Sequence, residues 1–279
     1  MRNVAGCWRP EAGRVAAVLA LVITAAEVHA GDYMQSSGDV SYSNQLGYLW
    51  ATQQWDANGD RRDLSCRREY VYDASQLEYG YSYYRTLYGS VGLARSSCGT
   101  ASKTGLTDLR LGVRSRWDVF AQHRTWEVEV TVPTNRSRSV GNQRVSCGAY
   151  GIAGDIADQE KVLPWLSVGG DIGAQLWEAP LTHQVFADAD VSGSFARWSP
   201  WTWNVGLHGK MPFDGNAGPT ADPNISDCGT RSKYVRASTR VGYQWNDNLN
   251  LGCGYTQWLW GVNTGITQGF SCGFSRLWK

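Results

Sequence analysis

The sequence predicts an all-β protein, a transmembrane antiparallel up-and-down β-barrel of about 12 strands with both termini in the periplasm. Three observations lead to this prediction. Apolar and polar residues alternate with period two along about ten segments, the segments are each about 10 residues long, and aromatic residues lie near the segment ends. Soluble β-sandwiches also alternate, but they hide the apolar face and their strands are usually shorter.

The clearest alternation occurs in residues 125–133, where the apolar set is Trp126, Val128, Val130 and Val132 and the polar set is Thr125, Glu127, Glu129 and Thr131. The segment before it places Leu109, Leu111, Val113 and Trp117 on one face and Asp108, Arg110, Arg114 and Arg116 on the other. The mean hydropathy of −0.38 is low for a helical membrane protein. It is compatible with a barrel, because only alternate residues of a barrel strand meet lipid.

The predicted strands cover approximately residues 39–53, 67–79, 83–94, 106–117, 124–133, 160–169, 171–178, 183–196, 201–212, 233–245, 248–260 and 264–278. Short connections (118–123, 197–200, 246–248) alternate with long ones (56–65, 95–105, 135–159, 213–233). With periplasmic termini, the long loops lie outside the cell. The alternation is poor over residues 145–182, so strands six and seven could shift, or merge to give ten strands.

Residues 1–30 have the features of a cleaved secretory signal peptide. Arg2, Arg9 and Arg14 form the basic end, residues 15–26 the apolar core, and residues 28–30 a small-residue cleavage site. An N-terminal membrane anchor is the alternative, but an apolar run of about 12 residues is shorter than the roughly 20 that a spanning helix needs. Residues 31–279 are then predicted to form a single outer-membrane β-barrel domain.

The charge of the remaining chain excludes one class of partner. Residues 1–30 hold three Lys/Arg and two Asp/Glu, which leaves 23 of each kind and no net charge. A nucleic-acid binder carries a basic footprint, so we expect no nucleic-acid partner. The expected partners are outer-membrane lipid, the barrel-assembly machinery during biogenesis and a small-molecule solute, and the expected location is the bacterial outer membrane.

The sequence predicts neither a cofactor nor a metal site. No C-x-x-C spacing supports a metal centre. Oxygen ligands alternate from Asp56 to Asp60, as in a calcium loop, but Arg61 and Arg67 stand where such a loop has its glycine and its last acidic ligand. We therefore expect a tight outer turn there rather than a calcium loop.

Tryptophans concentrate near the predicted strand ends. An amphipathic ring is well placed at the boundary between lipid and water. Sugar stacking in a soluble lectin is the alternative, but the position at strand ends favours a membrane girdle. The tryptophans of this set are Trp165, Trp177, Trp198, Trp201, Trp203, Trp258, Trp260 and Trp278.

Six cysteines follow residue 30, an even number that suits an oxidising compartment. In a hairpin with its turn centred between Val262 and Asn263, Cys253 and Cys272 are directly opposed on the outward side, with Cβ atoms about 4.5–5.5 Å apart. We expect a disulfide there; the alternative is two free thiols. The other four map to the external loops or their edges and are expected to form two bridges, with three connectivities possible: Cys66, Cys98, Cys147 and Cys228.

The inward faces collect ionisable side chains, which are our candidates for lining the lumen. They are Glu69, Asp73, Asp108, Arg110, Arg114, Arg116, Glu127, Glu129, Asp188, Asp190, His208, Lys210, Arg236 and Arg240. Mixed signs on facing strands favour a structural ion-pair network in a wet lumen. The alternative is a constriction that filters solutes by charge, with the three arginines from Arg110 to Arg116 as its best candidates.

Several short motifs carry a family resemblance. They are WDANGDRRD at 55–63, LEYG at 77–80, GLTDLRLGVR at 105–114, VPT at 132–134, GVNT at 261–264 and GFS at 273–275. In this order they resemble the MetA-pathway phenol-degradation family of outer-membrane β-barrel proteins, relatives of the FadL-type channels for hydrophobic compounds. The resemblance implies passage of small, often aromatic, molecules. The chain departs from the pattern at residues 81–86, at Asn135 and in its six cysteines.

A passive channel for uptake or efflux of small molecules, including hydrophobic or aromatic compounds, is the leading hypothesis for function. A barrel of about 12 strands is wider than the eight-stranded kind that side chains can fill. We expect the loop 134–159 to fold inward and to supply apolar contacts from Tyr150, Ile152 and Ile156. The alternative is a non-conducting surface scaffold or adhesin barrel with disulfide-stapled external loops.

An outer-membrane enzyme acting on lipid is the third class of function. Its chemistry requires a serine activated by a histidine. The histidines after residue 30 are His123, His183 and His208, and the sequence gives none of them an evident serine partner. We therefore predict no catalytic residue and no enzymatic activity.

Overall fold

The computed structural model describes residues 34–117, 124–134, 144–179, 181–196, 199–213, 228 and 231–279. The predicted signal peptide and its cleavage site lie outside these residues, as do His123, Trp198 and Asn135. Within the part of the chain that the structure describes, no helix has the length and apolar character needed to cross a membrane.

Strands make up the architecture. They are β1 (Val40–Trp55), β2 (Arg61–Ser82), β3 (Arg85–Cys98), β4 (Ala101–Leu106), β5 (Leu109–Arg116), β6 (Arg124–Val132), β7 (Gly151–Leu163), β8 (Leu166–Trp177), β9 (Gln184–Ser194), β10 (Trp201–Pro212), β11 (Lys233–Asn246), β12 (Leu249–Val262) and β13 (Thr264–Trp278). Each pairs antiparallel with its neighbours, and β1 pairs with both β2 and β13, so the sheet closes on itself.

Strands β4 and β5 share one position in the barrel wall. Both pair with β3, since Leu93 opposes Leu106 and Ser90 opposes Arg110, and only Thr107 and Asp108 separate them. The closed barrel therefore has twelve strand positions, which confirms the predicted antiparallel architecture. A closed sheet leaves no unpaired edge.

The two ends of the barrel differ. At the turn end β2 meets β3, β7 meets β8, β9 meets β10 and β11 meets β12, and there Val40 of β1 opposes Trp278 of β13. The start of β1 and the end of β13 thus both lie at the turn end. That this end faces the periplasm stays a prediction. The other end, the loop end, carries the β1–β2, β6–β7, β8–β9, β10–β11 and β12–β13 connections.

The structure corrects the prediction for strands six and seven. Strand β7 begins at Gly151 rather than at residue 160, and β8 begins at Leu166 rather than 171. The start of β7 escaped detection because small residues such as Ala153 and Gly154 weaken the contrast between its faces. Ile152 opposes Val130 and Ile156 opposes Trp126 on the outward side, so the prediction that these isoleucines point inward is wrong.

Two predicted loops are largely strand. Strand β2 extends up to Arg61, and residues 95–105 form the hairpin of β3 with β4. A disulfide joins Cys66 to Cys98 in this extension, with Cα atoms 5.5 Å apart. Strand pairing in this part of the wall therefore continues where a loop was expected.

Burial distinguishes the inward face from the outward one. Leu46 is 56% exposed, Phe270 58% and Ile172 67%, whereas Glu78 is 3% exposed and Gln184 0%. Apolar side chains therefore cover the outside, and polar side chains fill the interior. This is the reverse of a soluble domain, in which polar groups are the exposed ones.

The tryptophans divide between the two faces. Trp165, Trp201, Trp260 and Trp278 are between 42% and 50% exposed. Trp177 and Trp258 are buried inside the barrel, so the girdle prediction is wrong for these two. Trp258 and Trp260 take opposite faces despite their spacing because the register shifts between them, where Arg236 opposes Trp258 and Val235 opposes Trp260.

Candidate functional site in the barrel interior

The strand register gives each candidate lumen residue a face. Eleven share the inward face with buried polar residues such as Thr131, Gln175 and Ser238. These eleven are Arg110, Arg114, Arg116, Glu127, Glu129, Asp188, Asp190, His208, Lys210, Arg236 and Arg240. The structure thus brings most of the predicted set together inside the barrel.

Glu69 and Asp73 are not inside. Glu69 opposes Trp50, and Asp73 opposes the exposed Leu46, so both point outward and their assignment to the lumen is wrong. The inward side of β2 instead carries tyrosines. The ring of Tyr72 covers Gly47 of β1, where a Cβ atom would overlap it. Sequence alternation missed this because a tyrosine suits either environment.

On one wall, formed by β2, β3, β5 and β6, the charges pair directly with one another. Arg114 is 4% exposed; its guanidinium lies 2.7 Å from a Glu127 oxygen and 3.6 Å from a Glu78 oxygen. Arg110 lies 3.7 Å from Glu129. We call Glu78, Tyr88, Arg110, Arg114, Glu127 and Glu129 the arginine cluster.

Tyr88 ties the acidic side of the arginine cluster together. Its hydroxyl donates to Glu127 at 2.5 Å and lies 3.2 Å from Glu129, and the Arg114 guanidinium lies 5.4 Å from its ring centre. Sequence reasoning missed Tyr88 and Glu78. Glu78 and Tyr88 are directly opposed on β2 and β3. They were missed because the sequence analysis assigned Glu69 and Asp73 to the inward side of β2, which places Glu78 on the outward side.

On the opposite wall, formed by β8 to β11, the charges meet different partners. His208 Nδ1 lies 2.9 Å from both Asp188 oxygens, and its Nε2 lies 3.4 Å from the Tyr234 hydroxyl. Lys210 donates to the neutral Gln175 amide oxygen at 3.0 Å. We call these five residues the histidine cluster, of which Gln175 and Tyr234 were not predicted.

Three further inward residues extend this wall. Asn204 donates to Asp190 at 3.1 Å. The Arg236 guanidinium lies 5.7 Å from the ring centre of Trp258. Arg240 occupies the space above Gly252 of β12, where a larger residue would displace its side chain. The wall therefore combines hydrogen-bonding groups with aromatic surface.

The residues before β1 lie inside the barrel at the turn end. The Gln35 backbone N–H donates to Thr86, and its side chain donates to Glu78 at 2.9 Å. The Ser36 carbonyl fills the space beside Gly80. Because Glu78 and Thr86 point inward, this N-terminal segment covers the arginine cluster from the turn end.

Part of the β6–β7 connection covers the interior at the loop end. Asp108 precedes β5 and is buried, and its carboxylate accepts the Cys147 backbone N–H at 2.6 Å. Ala149 packs with Trp177 and Leu181. The inward part of this connection is therefore residues 145–149, rather than Ile152 and Ile156.

The cysteines form three pairs. Cys253 and Cys272 are directly opposed on the outward face with Cα atoms 4.0 Å apart, as the hairpin geometry predicted. Cys147 pairs with Cys228 at 5.1 Å between Cα atoms. Together with Cys66–Cys98, this selects one of the three connectivities that the sequence left open, and it ties the β6–β7 and β10–β11 connections together.

Comparisons with known proteins define the fold. No family model matches the chain. No curated protein matches it. An outer membrane channel from Pseudomonas putida F1 is similar in structure, with a TM-score of 0.72, 14% identity and coverage of 90% of this chain and all of that one. The translocator domain of the autotransporter NalP from Neisseria meningitidis has a TM-score of 0.50 and 12% identity over 95% of both chains. The chain therefore shares the fold of an outer-membrane channel, while the MetA-pathway resemblance stays a prediction.

Proposed function

We propose that this protein is an outer-membrane channel for small molecules that carry a polar group, including small aromatic compounds. One observation carries the proposal: a closed twelve-stranded barrel with an apolar outside holds two polar clusters on opposite inner walls. Polar side chains facing a lumen offer hydrogen bonds to a passing solute. Inward aromatic rings such as Tyr234 and Trp258 offer apolar contact beside them.

The membrane location is part of this proposal. The barrel lies in the outer membrane with both termini in the periplasm, after cleavage behind Ala30 and insertion by the barrel-assembly machinery. The exposed outward leucines, isoleucines and phenylalanines support it, since a band of apolar residues on the outside is what lipid requires. Membrane fractionation and the mass of the mature chain test both points, and a product that does not begin at Gly31 contradicts the cleavage site.

The path through the barrel is narrow. Gln35 and Ser36 lie inside it at the turn end, and residues 145–149 lie against inward side chains at the loop end. We therefore expect small single-channel currents in planar bilayers and uptake of small phenols, but not of oligosaccharides, into liposomes. Lys210→Glu lowers anion relative to cation permeability, because it reverses a charge on the inner wall. Folded protein that gives no current and no uptake contradicts the channel.

A non-conducting scaffold is the second candidate, favoured by one specific observation. Several inward side chains are almost completely buried, among them Thr131, Gln184 and Thr267. Packing of this kind leaves little room for solutes. Absence of ion steps from correctly folded protein would favour the scaffold over the channel.

We also propose that the protein is not an enzyme. His208 is held by Asp188 in the interior, and His183 Nδ1 accepts the Trp177 backbone N–H at 3.1 Å. His208 is therefore not at the outer edge of the barrel, and His183, which lies at the loop end, uses its Nδ1 to accept a backbone N–H rather than to activate a serine. Release of fatty acid from labelled phospholipid by the purified protein would contradict this.

A further inference from the structure

The outward face of the barrel is not uniformly apolar. On β6, β7 and β8 it carries Val128, Val130, Ile156 and Ile172. On β1 and β2 it carries a polar patch that consists of Tyr42, Asn44, Asp73 and Ser75. Asn44 donates to Asp73 at 2.5 Å and to Ser75 at 3.1 Å, and the Tyr42 hydroxyl lies 3.0 Å from that of Ser75.

The polar patch lies deep in the barrel wall. Asp73 is six residues from Tyr79, which opposes Val40 at the turn end. At about 3.3 Å per residue and a tilt of about 45°, Asp73 stands roughly 14 Å above that end, near the middle of an apolar band about 25 Å tall. Its outward neighbours Leu46, Leu77 and Leu93 are each more than half exposed. Lipid phosphates at the membrane surface do not reach this depth.

A second polar tier follows towards the loop end. Arg67 lies 3.2 Å from Glu69 and donates to the Tyr48 hydroxyl at 2.7 Å. On β3, Arg95 points outward and opposes Val71 of β2. Within these two tiers the outward face of β1, β2 and β3 thus carries two arginines and two carboxylates, Arg67, Arg95, Glu69 and Asp73, whose charges balance. Arg85 of β3 also points outward, but it lies at the turn end, away from the two tiers.

Lipid is a poor neighbour for such a surface. A carboxylate has about four acceptor positions, and polar groups left without partners in hydrocarbon are costly. Intramembrane carboxylates usually point towards protein or water rather than lipid. A protein partner at the same depth is therefore the occupant that satisfies the patch.

We propose that the outward face of β1–β3 is the interface through which two copies of this chain associate side by side around a two-fold axis. A two-fold interface must be self-complementary, since the same patch serves both copies. The balanced charges meet this condition: the axis brings Arg95 of one copy towards Asp73 of the other. The Asn44 amide both donates and accepts, so it also suits a contact with its own counterpart. The inference requires the membrane location proposed above, but it does not require conduction.

Native mass spectrometry of the mature protein in lipid nanodiscs tests the proposal. We expect a dimer for the natural chain. The double variant Asn44→Leu with Asp73→Leu should raise the dimer dissociation constant about ten-fold or more, because it removes polar contacts at the interface centre. Both positions face outward, so leucine there suits the membrane and the barrel stays folded. The matched control is Asp158→Leu, an outward carboxylate on β7 at the other side of the barrel.

A second set of variants in the same experiment exchanges the charges of Asp73 and Arg95. Asp73→Arg alone should disrupt the dimer, and Asp73→Arg with Arg95→Asp should restore it. A folded natural chain that stays monomeric overturns the proposal, as does a dimer that none of these variants weakens, or a complex whose extra mass is lipopolysaccharide. A monomer that conducts ions would overturn the dimer and leave the channel intact, whereas absence from the membrane would overturn both.

Discussion

The two inner walls of the barrel hold their charges in different ways. In the arginine cluster, Arg114 lies between two carboxylates, and its closest contacts are charge to charge. In the histidine cluster, Lys210 donates to a neutral amide, and Asp188 meets a titratable imidazole. A buried cation held by two acids is expensive to disturb. We infer that the first wall contributes more to the stability of the barrel than the second.

The variant with the largest expected effect on the free energy of unfolding is Arg114→Met. Removing the guanidinium leaves the buried Glu78 and the partly buried Glu127 without the cation that both contact, which should lower the free energy of unfolding by about 3–5 kcal/mol. Urea unfolding from lipid vesicles, followed by tryptophan fluorescence, measures it. The control is Arg124→Met, since the Arg124–Asp158 pair is about half exposed and should contribute about 0–1 kcal/mol. Equal losses for the two variants would refute the structural role of the first wall.

The next test is Lys210→Met on the second wall. The variant loses a hydrogen bond from a charged donor to Gln175, and we expect a loss of about 1.5–3 kcal/mol in the free energy of unfolding. The same urea titration gives the value. A loss as large as that of Arg114→Met would erase the difference between the walls.

A smaller effect is expected for Tyr88→Phe. The ring and its contact with Arg114 remain, but Glu127 loses the hydroxyl that donates to it. The expected loss in the free energy of unfolding is about 1–2 kcal/mol. Tyr79→Phe on the outward face of β2 is the matched control and should change the free energy of unfolding little. Similar losses for the two variants would argue against a stabilising hydrogen bond from Tyr88 to Glu127.

The smallest effect concerns the β1–β2 turn, outside both walls. The backbone N–H of Asn58, then that of Asp60, and the Arg62 guanidinium hold the pKa of Asp56 below its ordinary value. A folded pKa below the unfolded one stabilises the protein above the unfolded pKa, and this contribution disappears as pH falls through the folded pKa. The free energy of unfolding of the natural chain should therefore fall between neutral pH and pH below about 4, and it should fall by less in the Asp56→Asn variant.

Unfolding midpoints from pH 2.5 to 7 check this prediction, with Asp60→Asn as the control, because Asp60 contacts Asp56 through its backbone. An unchanged pH profile for Asp56→Asn would show that the turn carries no such linkage. The turn itself agrees with the predicted tight connection: Gly59 has a φ of +83°, which glycine adopts without strain.

How much the sequence could predict depended on the contrast between faces. Strand β6 was found almost to the residue, because valines and glutamates alternate there without interruption. The Cys253–Cys272 pair followed from a turn of known centre. Strand β7 was placed late, because glycine and alanine give both faces a similar polarity. On β2, two tyrosines took the inner side and two acids the outer one, an arrangement that alternation alone does not resolve.

By itself, the sequence determined that the chain closes into a barrel with an apolar outside and a polar inside, because period-two alternation is a local property of each strand. Only the tertiary structure decided which carboxylates face the interior, which cysteines meet across loops, and that Gln35 and Cys147 reach inward side chains. These features depend on register, bulges and contacts between residues far apart in sequence. A shift of one residue moves every side chain of a strand to the other face.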